Sequence, residues 1–589
     1  DTHRWLEFRR VLFRSVALLT VGLAASMLFV ACGGGANNTA QGNGNGSESG
    51  GTTKDLSKPE RIEASNPSAL PDAAKNRTDT LIVGTTDPKG EFVPIYSSTL
   101  YDSWVNKLVF DGLITNNEKG EPIPNVAESY EVSEDGKTYT FKLNKGIKFT
   151  NGQELTAKDV AFTFTSICDP GYDGPRMDAV NNLVGYEEYN KGDASSVEGI
   201  KVIDDYTISF TNKNTDAAGI WNFEYGIMPE SVYKFEKGNF QAVKDKLLEP
   251  VGSGAYKFVH FKPGQEVKFE KNADYWKGEP KIPYIVMKVT NAQTLLQELM
   301  AGTVDIDRVG AKPENIDPLK QAGFLNLDLY MQNGYGYMGL NYGSDKVKDP
   351  KVRQALLYGL NREGFMQSYY QGYGQVYNSH ILPTSWAYNP DVPKYEYNPE
   401  KAKELLDEAG WKDTNGNGVR DKDGVELELQ WLTYTGSKYV DALIPIVQQS
   451  WEQIGVKVTP ELMEFGTMMD KVNNREYDIF NGAWNLSIDP DPSGIFAISQ
   501  DVPGGFNNIG WRNEEADKLL KEGKGTTNQE ERKKAYAEWQ LKFSEDVPYI
   551  LLGNAQEMFA SNSRVKGYNP STYIDWTHDV YKLELDNNK

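Results

Sequence analysis

PNVAESYEVSEDGKTYTFKLNKGIKFTNGQELTAKDVAFTF, running from Pro124 to Phe164, is the stretch that decides the fold. Thr138 to Leu143 alternates cleanly, with Tyr139, Phe141 and Leu143 on one face, which is the period of a half-buried strand. Gly136-Lys137-Thr138 ends like a phosphate-binding loop, but Glu131 stands where such a loop needs its first glycine. The local pattern is therefore a hairpin turn into the strand. Asn151-Gly152 marks the next turn. Thr156 then stands three residues before Asp159 and opens a run with Val160, Phe164 and Ile167 at helical spacing, close to a capping-box helix start. Strand, turn and capped helix in one stretch point to a mixed α and β chain.

The same grammar recurs outward from this stretch. Asp349-Pro350 reads as N-cap and first helical position, with Val352, Ala355, Leu356 and Leu360 on one face. Asn398-Pro399 repeats the device, with Ala402, Leu405, Leu406 and Ala409 inside and Gly410 as the stop. Strand-like runs lie at Glu426 to Leu432 and Val456 to Thr459, and Thr80 to Gly84 is expected to begin the folded part. At 589 residues the chain is too long for one core and suits about three or four domains.

Upstream, Arg9, Arg10 and Arg14 precede an apolar or small-residue run from Val16 to Val30, then Ala31-Cys32-Gly33. Basic flank, short apolar core, small residue and processing site form the layout of a secretory signal, and the run is too short to span a bilayer comfortably. The reading is a lipoprotein signal over residues 1–31, with Cys32 the lipidated first residue of an exported chain held to the membrane by lipid alone. GGGANNTAQGNGNGSESGGTTKD from Gly33 to Asp55 buries almost nothing apolar, so residues 32–77 are expected to form a flexible tether.

The formal net charge is −21, a poor match for nucleic acid, whose phosphates demand a basic surface. Beyond Cys32 only Cys168 remains, so no disulfide forms within the mature chain. His260, His380 and His578 have no metal-ligand spacing, and no metal or cofactor is expected. G-x-S-x-G and H-E-x-x-H are absent from the sequence. Asp413-Thr-Asn415-Gly-Asn417-Gly418 imitates the start of a calcium loop, but Gly424 occupies the twelfth position in place of glutamate. Turn chemistry is the favoured reading there, calcium the minor one.

The strings are specific enough to show a family resemblance. The Pro124–Phe164 stretch resembles the signature of bacterial extracellular solute-binding proteins of the oligopeptide/dipeptide class (family 5), the ligand-capturing components of ATP-driven importers. Pro250-Val-Gly-Ser-Gly-Ala-Tyr256-Lys-Phe258, Lys271-Asn-Ala-Asp-Tyr275-Trp276, Gly302-Thr-Val-Asp305-Ile306, Asp349-Pro-Lys-Val-Arg353 and Asp489-Pro490-Asp491 extend the likeness over roughly residues 80–585. It implies a mixed α/β, two-lobed, periplasmic-binding-protein-like (type II) fold with an extra domain. Lobe I would comprise 78–114, 249–333 and 549–585, the extra domain II 115–248, and lobe III 334–548. It further implies a monomer without catalytic residues that closes on oligopeptides by hinge motion and presents them to ABC permease subunits. The rivals are an oligosaccharide binder on the same scaffold, a secreted lipoprotein hydrolase, and a sensor using the same binding chemistry.

The resemblance also suggests a site. Tyr477 to Trp484 reads as a strand running into the cleft. Gly482 and Ala483 would offer backbone partners to the ligand, and Trp484 would line a pocket. In relatives an aspartate three residues beyond this tryptophan takes the peptide's α-amino group. Here that position is Ser487, a neutral hydroxyl that cannot pair with a buried ammonium. Asp489 or Asp491 is expected to substitute. On the facing lobe Tyr101 is the candidate, with Tyr434, Trp386 and Tyr388 as further aromatics.

Overall fold

The computed structural model describes residues 55–586. The signal segment, Cys32 and the tether up to residue 54 lie outside the described residues. Among those described, no helix is long and apolar enough to cross a membrane.

The Pro124–Phe164 stretch folds as its pattern dictates. Ala127–Val132 and Thr138–Leu143 form a hairpin closed at Gly136, and Tyr139, Phe141 and Leu143 are buried. Thr156 and Asp159 complete a capping box for the helix Ala157–Cys168. Such a cap satisfies orphan N–H groups and contributes about 1 kcal/mol. With Thr207–Thr211 and Ile200–Asp204 the hairpin makes a separate four-stranded antiparallel sheet.

The remaining main strands build one thirteen-stranded sheet shared by two lobes. Lobe I contributes Thr80–Thr85, Ile306–Gly310, Tyr284–Val289, Glu266–Lys271 and Tyr256–Lys262. Lobe III contributes Gly334–Leu340, Ile479–Asn485, Glu428–Tyr434 and Lys457–Met463. The fourteen-residue strand Tyr549–Asn562 joins them: its first part pairs with Gly334–Leu340, its later part with Ile306–Gly310 and Leu325–Met331. The second connection is the short step from Met331 to Gly334. Both crossings are tied together, because Asn554 Nδ2 donates to Gln332 Oε1 (3.2 Å) and to the Gly334 carbonyl (3.0 Å). Gly553 sits at φ +102°, and a Cβ there would stand 2.0 Å from the Gln375 carbonyl, so only glycine permits this crossing.

Lobe III packs both faces of its part of the sheet. Val352, Leu356, Leu406, Trp431 and Trp451 fill one core, and Tyr337, Phe480, Phe496, Trp511 and Trp539 the other. The helices Pro350–Tyr358 and Pro399–Glu408 carry the expected caps, with Asp349 and Asn398 accepting from the Lys351 and Lys401 N–H groups. The expected Glu426–Leu432 and Val456–Thr459 runs are strands with slightly later bounds, Glu428–Tyr434 and Lys457–Met463.

The flexible tether expected over 32–77 needs correction. From Asp55 onward the chain is packed into the fold: Glu60–Ile62 pairs antiparallel with Leu325–Met331, and Leu56, Leu70 and Ala74 are buried. Arg61 Nε donates to Asp328 at 2.6 Å. A three-residue strand shows no period, and its partner lies more than 260 residues away, so local composition could not reveal it.

At the Asp413 loop, one carboxylate oxygen accepts the Gly416 N–H (2.7 Å) and the other the Gly418 N–H (3.0 Å), the geometry of a turn. Cys168 is buried, and that burial pushes its thiol well above the usual range.

Candidate ligand-binding site

The strand Ile479–Asn485 is flanked on one side along its whole length by Gly334–Leu340. On its other side it pairs with Glu428–Tyr434 only at Ile479 and Phe480, after which the two strands part. Two backbone bonds fix which groups point where: Asn341 N–H donates to the Asp478 carbonyl (3.0 Å), and Leu486 N–H to the Asn333 carbonyl (2.9 Å). Because strand residues alternate, Phe480, Gly482 and Trp484 direct their backbone groups to Gly334–Leu340. Ala483 and Asn485 direct theirs to the open flank, and both are exposed.

This divides the two residues expected to offer backbone partners. Ala483 presents a free edge. Gly482 does not, since its groups are committed to the neighbouring strand. Its lack of a side chain serves packing instead: a Cβ there would sit 3.0 Å from Tyr337 Oη.

Beside this edge lies a cavity of about 240 Å³, lined among others by Trp484, Ser487, Asp491, His380, Phe506 and Tyr573. Tyr573 belongs to the C-terminal segment, the rest to lobe III. Trp484 is half-buried, stacked at 3° on Tyr337 (6.2 Å between centroids) and met edge-on by Phe506 at 5.6 Å. The stack holds the indole as one wall of the cavity.

The three polar candidates occupy different states. Ser487 Oγ donates to the Asp489 carbonyl at 2.8 Å, which makes it a loop brace. Asp489 is buried in a bidentate pair with Arg532, Nη1 to Oδ2 at 2.9 Å and Nη2 to Oδ1 at 2.6 Å. Arg532 also donates to the Gly523 carbonyl and lies 5.4 Å from the Trp386 ring. Asp489 therefore has its charge already matched and is no substitute anchor. Asp491 accepts two bonds from Ser493 on Oδ1, and its Oδ2 has no partner among the described residues. Desolvation raises its carboxyl above the ordinary range, the Ser493 bonds oppose this, and neighbouring Asp489 adds to it.

The structure does not bring Tyr101 to this cavity. It sits on the helix Leu100–Val109, edge-on to Trp104 at 5.3 Å, and Trp104 in turn meets Trp576. Tyr434 lies two residues past the last pair of the open flank, against Phe465. Trp386 lines a separate cavity with Trp221 and Arg532. Tyr388 packs near Ile381 and Tyr536.

Sequence reasoning missed Tyr573, Phe506, His380 and Arg532. No local signal marks them, because each reaches the site from a distant segment.

Comparison with known proteins matches residues 121–506 to the model of the bacterial extracellular solute-binding proteins, family 5. The oligopeptide-binding protein AppA of Bacillus subtilis is 33% identical over 531 residues, covering 89% of this chain and 94% of that protein. Heme-binding protein A of Haemophilus influenzae is 28% identical over 529 residues, covering 87% and 93%. The solved structure of B. subtilis AppA in complex with a nonapeptide superposes with a TM-score of 0.66 at 30% identity, over 86% of this chain and 99% of that one. With its two lobes joined by a shared strand and its cavity beside an open strand edge, this chain belongs to the bacterial extracellular solute-binding proteins of family 5.

Proposed function

We propose that this solute-binding protein captures oligopeptides outside the cytoplasmic membrane, tethered through a lipid on Cys32, and delivers them as a monomer to ABC permease subunits. The observation that carries the reading is the open flank at Ala483 and Asn485. Unpaired N–H and C=O groups on a strand edge bind an extended backbone whatever its side chains, and the adjacent cavity takes one or more of those side chains. Hinge closure through the two crossings then excludes water from the ligand. The relatives that bind peptides support the ligand class. Mass spectrometry of small molecules released by denaturing the purified chain tests it. Varied peptides support it, and a sugar or haem as the sole ligand overturns it.

Two variants test the geometry. Ala483→Pro removes an N–H that bonds nothing among the described residues and fills the edge with a ring. Peptide affinity is expected to fall about tenfold to a hundredfold, with thermal stability nearly unchanged, since an edge position tolerates proline. An unchanged affinity by calorimetry would sink strand addition at this edge.

Asp491 is the proposed partner of the ligand's amino group, because it lines the cavity and keeps one carboxylate oxygen without a partner among the described residues. A co-purified peptide, resynthesised with a free or an acetylated amino terminus, checks this. Acetylation is expected to weaken binding about tenfold in the wild type and much less in Asp491→Asn. The pH dependence has a definite sign. The raised carboxyl must ionise to hold an ammonium, so affinity falls, and binding releases more proton, as pH drops through its pKa.

A further inference from the structure

The first described residues are tied down at the crossings between the lobes, although a chain near its end ordinarily frays unless something holds it. Glu60–Ile62 runs antiparallel to Leu325–Met331, with Glu60 opposite Leu329 and Ile62 opposite Leu327. This register carries the residues before Glu60 past Met331, to the crossing at Met331–Gly334. Leu56 arrives there. It is buried in one cluster with Met331, Tyr335 and Tyr377, and its carbonyl accepts from Gln556 Nε2 at 3.3 Å. Gln556 belongs to the other crossing: it pairs with Met331, and its N–H donates to the Tyr373 carbonyl at 2.7 Å.

A second fastening holds the same segment on the near side of the crossings. Arg61 donates Nε and Nη2 to Asp328 at 2.6 and 3.0 Å, and Nη2 also to the Tyr568 carbonyl at 2.5 Å. Ala64 N–H donates to Asn326 Oδ1 at 2.9 Å. Tyr335, by contrast, lies beyond the crossing on Gly334–Leu340. The segment is thus gripped by charge and backbone before the crossing and by one buried leucine at and beyond it.

These contacts belong to a state in which the lobes also touch elsewhere. Lys524 Nζ lies 3.7 Å from Asp216 Oδ2. Asp216 precedes a short helix whose Ile220 shares a core with Leu81 and Val83, whereas Lys524 ends a helix whose Leu520 packs with Tyr337 and Phe480. Rotation at the crossings moves Tyr335 and Tyr377 relative to the strand that holds Arg61. Opening therefore draws Leu56 from its cluster, at the expense of buried apolar surface.

We infer that residues 55–62 form a strap that holds the hinge toward its closed arrangement and so sets how much of the population is closed before a ligand arrives. A ligand's apparent affinity falls in proportion as the competent arrangement becomes rarer, so the strap acts on affinity without touching the ligand.

Small-angle X-ray scattering of the ligand-free full chain tests this on wild type, Leu56→Ser, Leu56→Met and Leu70→Ser. Leu70 is equally buried but lies in a different core, with Leu299 and Leu327, and controls for general loosening. The radius of gyration is expected to rise in Leu56→Ser alone. By calorimetry with a resynthesised co-purified peptide, Leu56→Ser is expected to bind about tenfold more weakly, while Leu56→Met and Leu70→Ser bind as wild type does. The calorimetric arm rests on the peptide reading. Were no peptide to bind wild type, that reading would fail and the scattering alone would decide on the strap. Scattering of Leu56→Ser identical to that of wild type overturns the inference, as does equal expansion in Leu70→Ser. A lower melting temperature with unchanged peptide affinity also overturns it and makes Leu56 plain core.

Discussion

Arg532→Met is expected to destabilise the folded chain by about 3–5 kcal/mol, seen as a lower urea midpoint. The substitution keeps most of the side-chain volume but strips Asp489 of both its guanidinium bonds in a buried setting. An uncompensated buried carboxylate then takes up a proton or draws in water, at the expense of the packing around it. The same change is expected to weaken peptide binding, because Asp489 is part of the loop that carries Ser487 and Asp491 along the cavity wall. The double variant Asp489→Leu/Arg532→Met separates pairing from packing. Replacing both members of a buried pair by apolar groups is often neutral, so the double variant is expected to recover most of the loss. A single variant costing less than about 1 kcal/mol would show that the pair does not hold this loop.

Acid is expected to destabilise the protein through His380 more than through any other histidine. Its imidazole is buried among Phe496 and Trp539, with Nδ1 2.5 Å from Tyr335 Oη, and burial pulls its pKa down to about 3. The unfolded chain binds a proton at this histidine near the ordinary 6.5, whereas the folded chain refuses it. Stability is therefore complete above about pH 6.5 and is lost progressively toward pH 3, by about 2 kcal/mol near pH 5 from this group alone. His380→Gln retains an acceptor for Tyr335 but does not titrate. Its stability is expected to lose that much less between pH 7 and pH 5 in denaturant titrations. Asp307 works in the opposite sense: burial pushes its carboxyl up to about 6, so acidification through that range favours the fold and partly masks the histidine in the wild type. Comparing wild type with His380→Gln cancels the Asp307 contribution. Identical slopes would rule out the buried neutral histidine.

Both effects arise from side chains that gained their properties on folding, and this separates what was legible beforehand. Tyr139, Phe141 and Leu143 alternate in the sequence and are buried together. The Thr156–Asp159 cap and the Asp349-Pro350 and Asn398-Pro399 starts were equally readable. These signals are local, acting within one turn or one strand, so the sequence carries them directly. The tether was misjudged where locality failed: Glu60–Ile62 becomes a strand only because Leu325–Met331 offers it an edge. In the candidate site, Trp484 and Ala483 were found through a strand motif, whereas the choice among Ser487, Asp489 and Asp491 was not. Three neighbouring polar residues look alike in sequence, and Arg532, 43 positions away, removes Asp489 from contention.

The sequence by itself determined the mixed α/β class, the family, the acidic charge and the strand that carries Ala483 and Trp484. Periodicity, capping and contiguous motifs depend on residues that are neighbours in the chain. Only the tertiary structure decided which backbone groups of that strand stay unpaired and which carboxylate keeps a free oxygen. Those properties depend on partners brought together from distant segments, because burial and pairing, not residue type, set whether a charge or an N–H remains available.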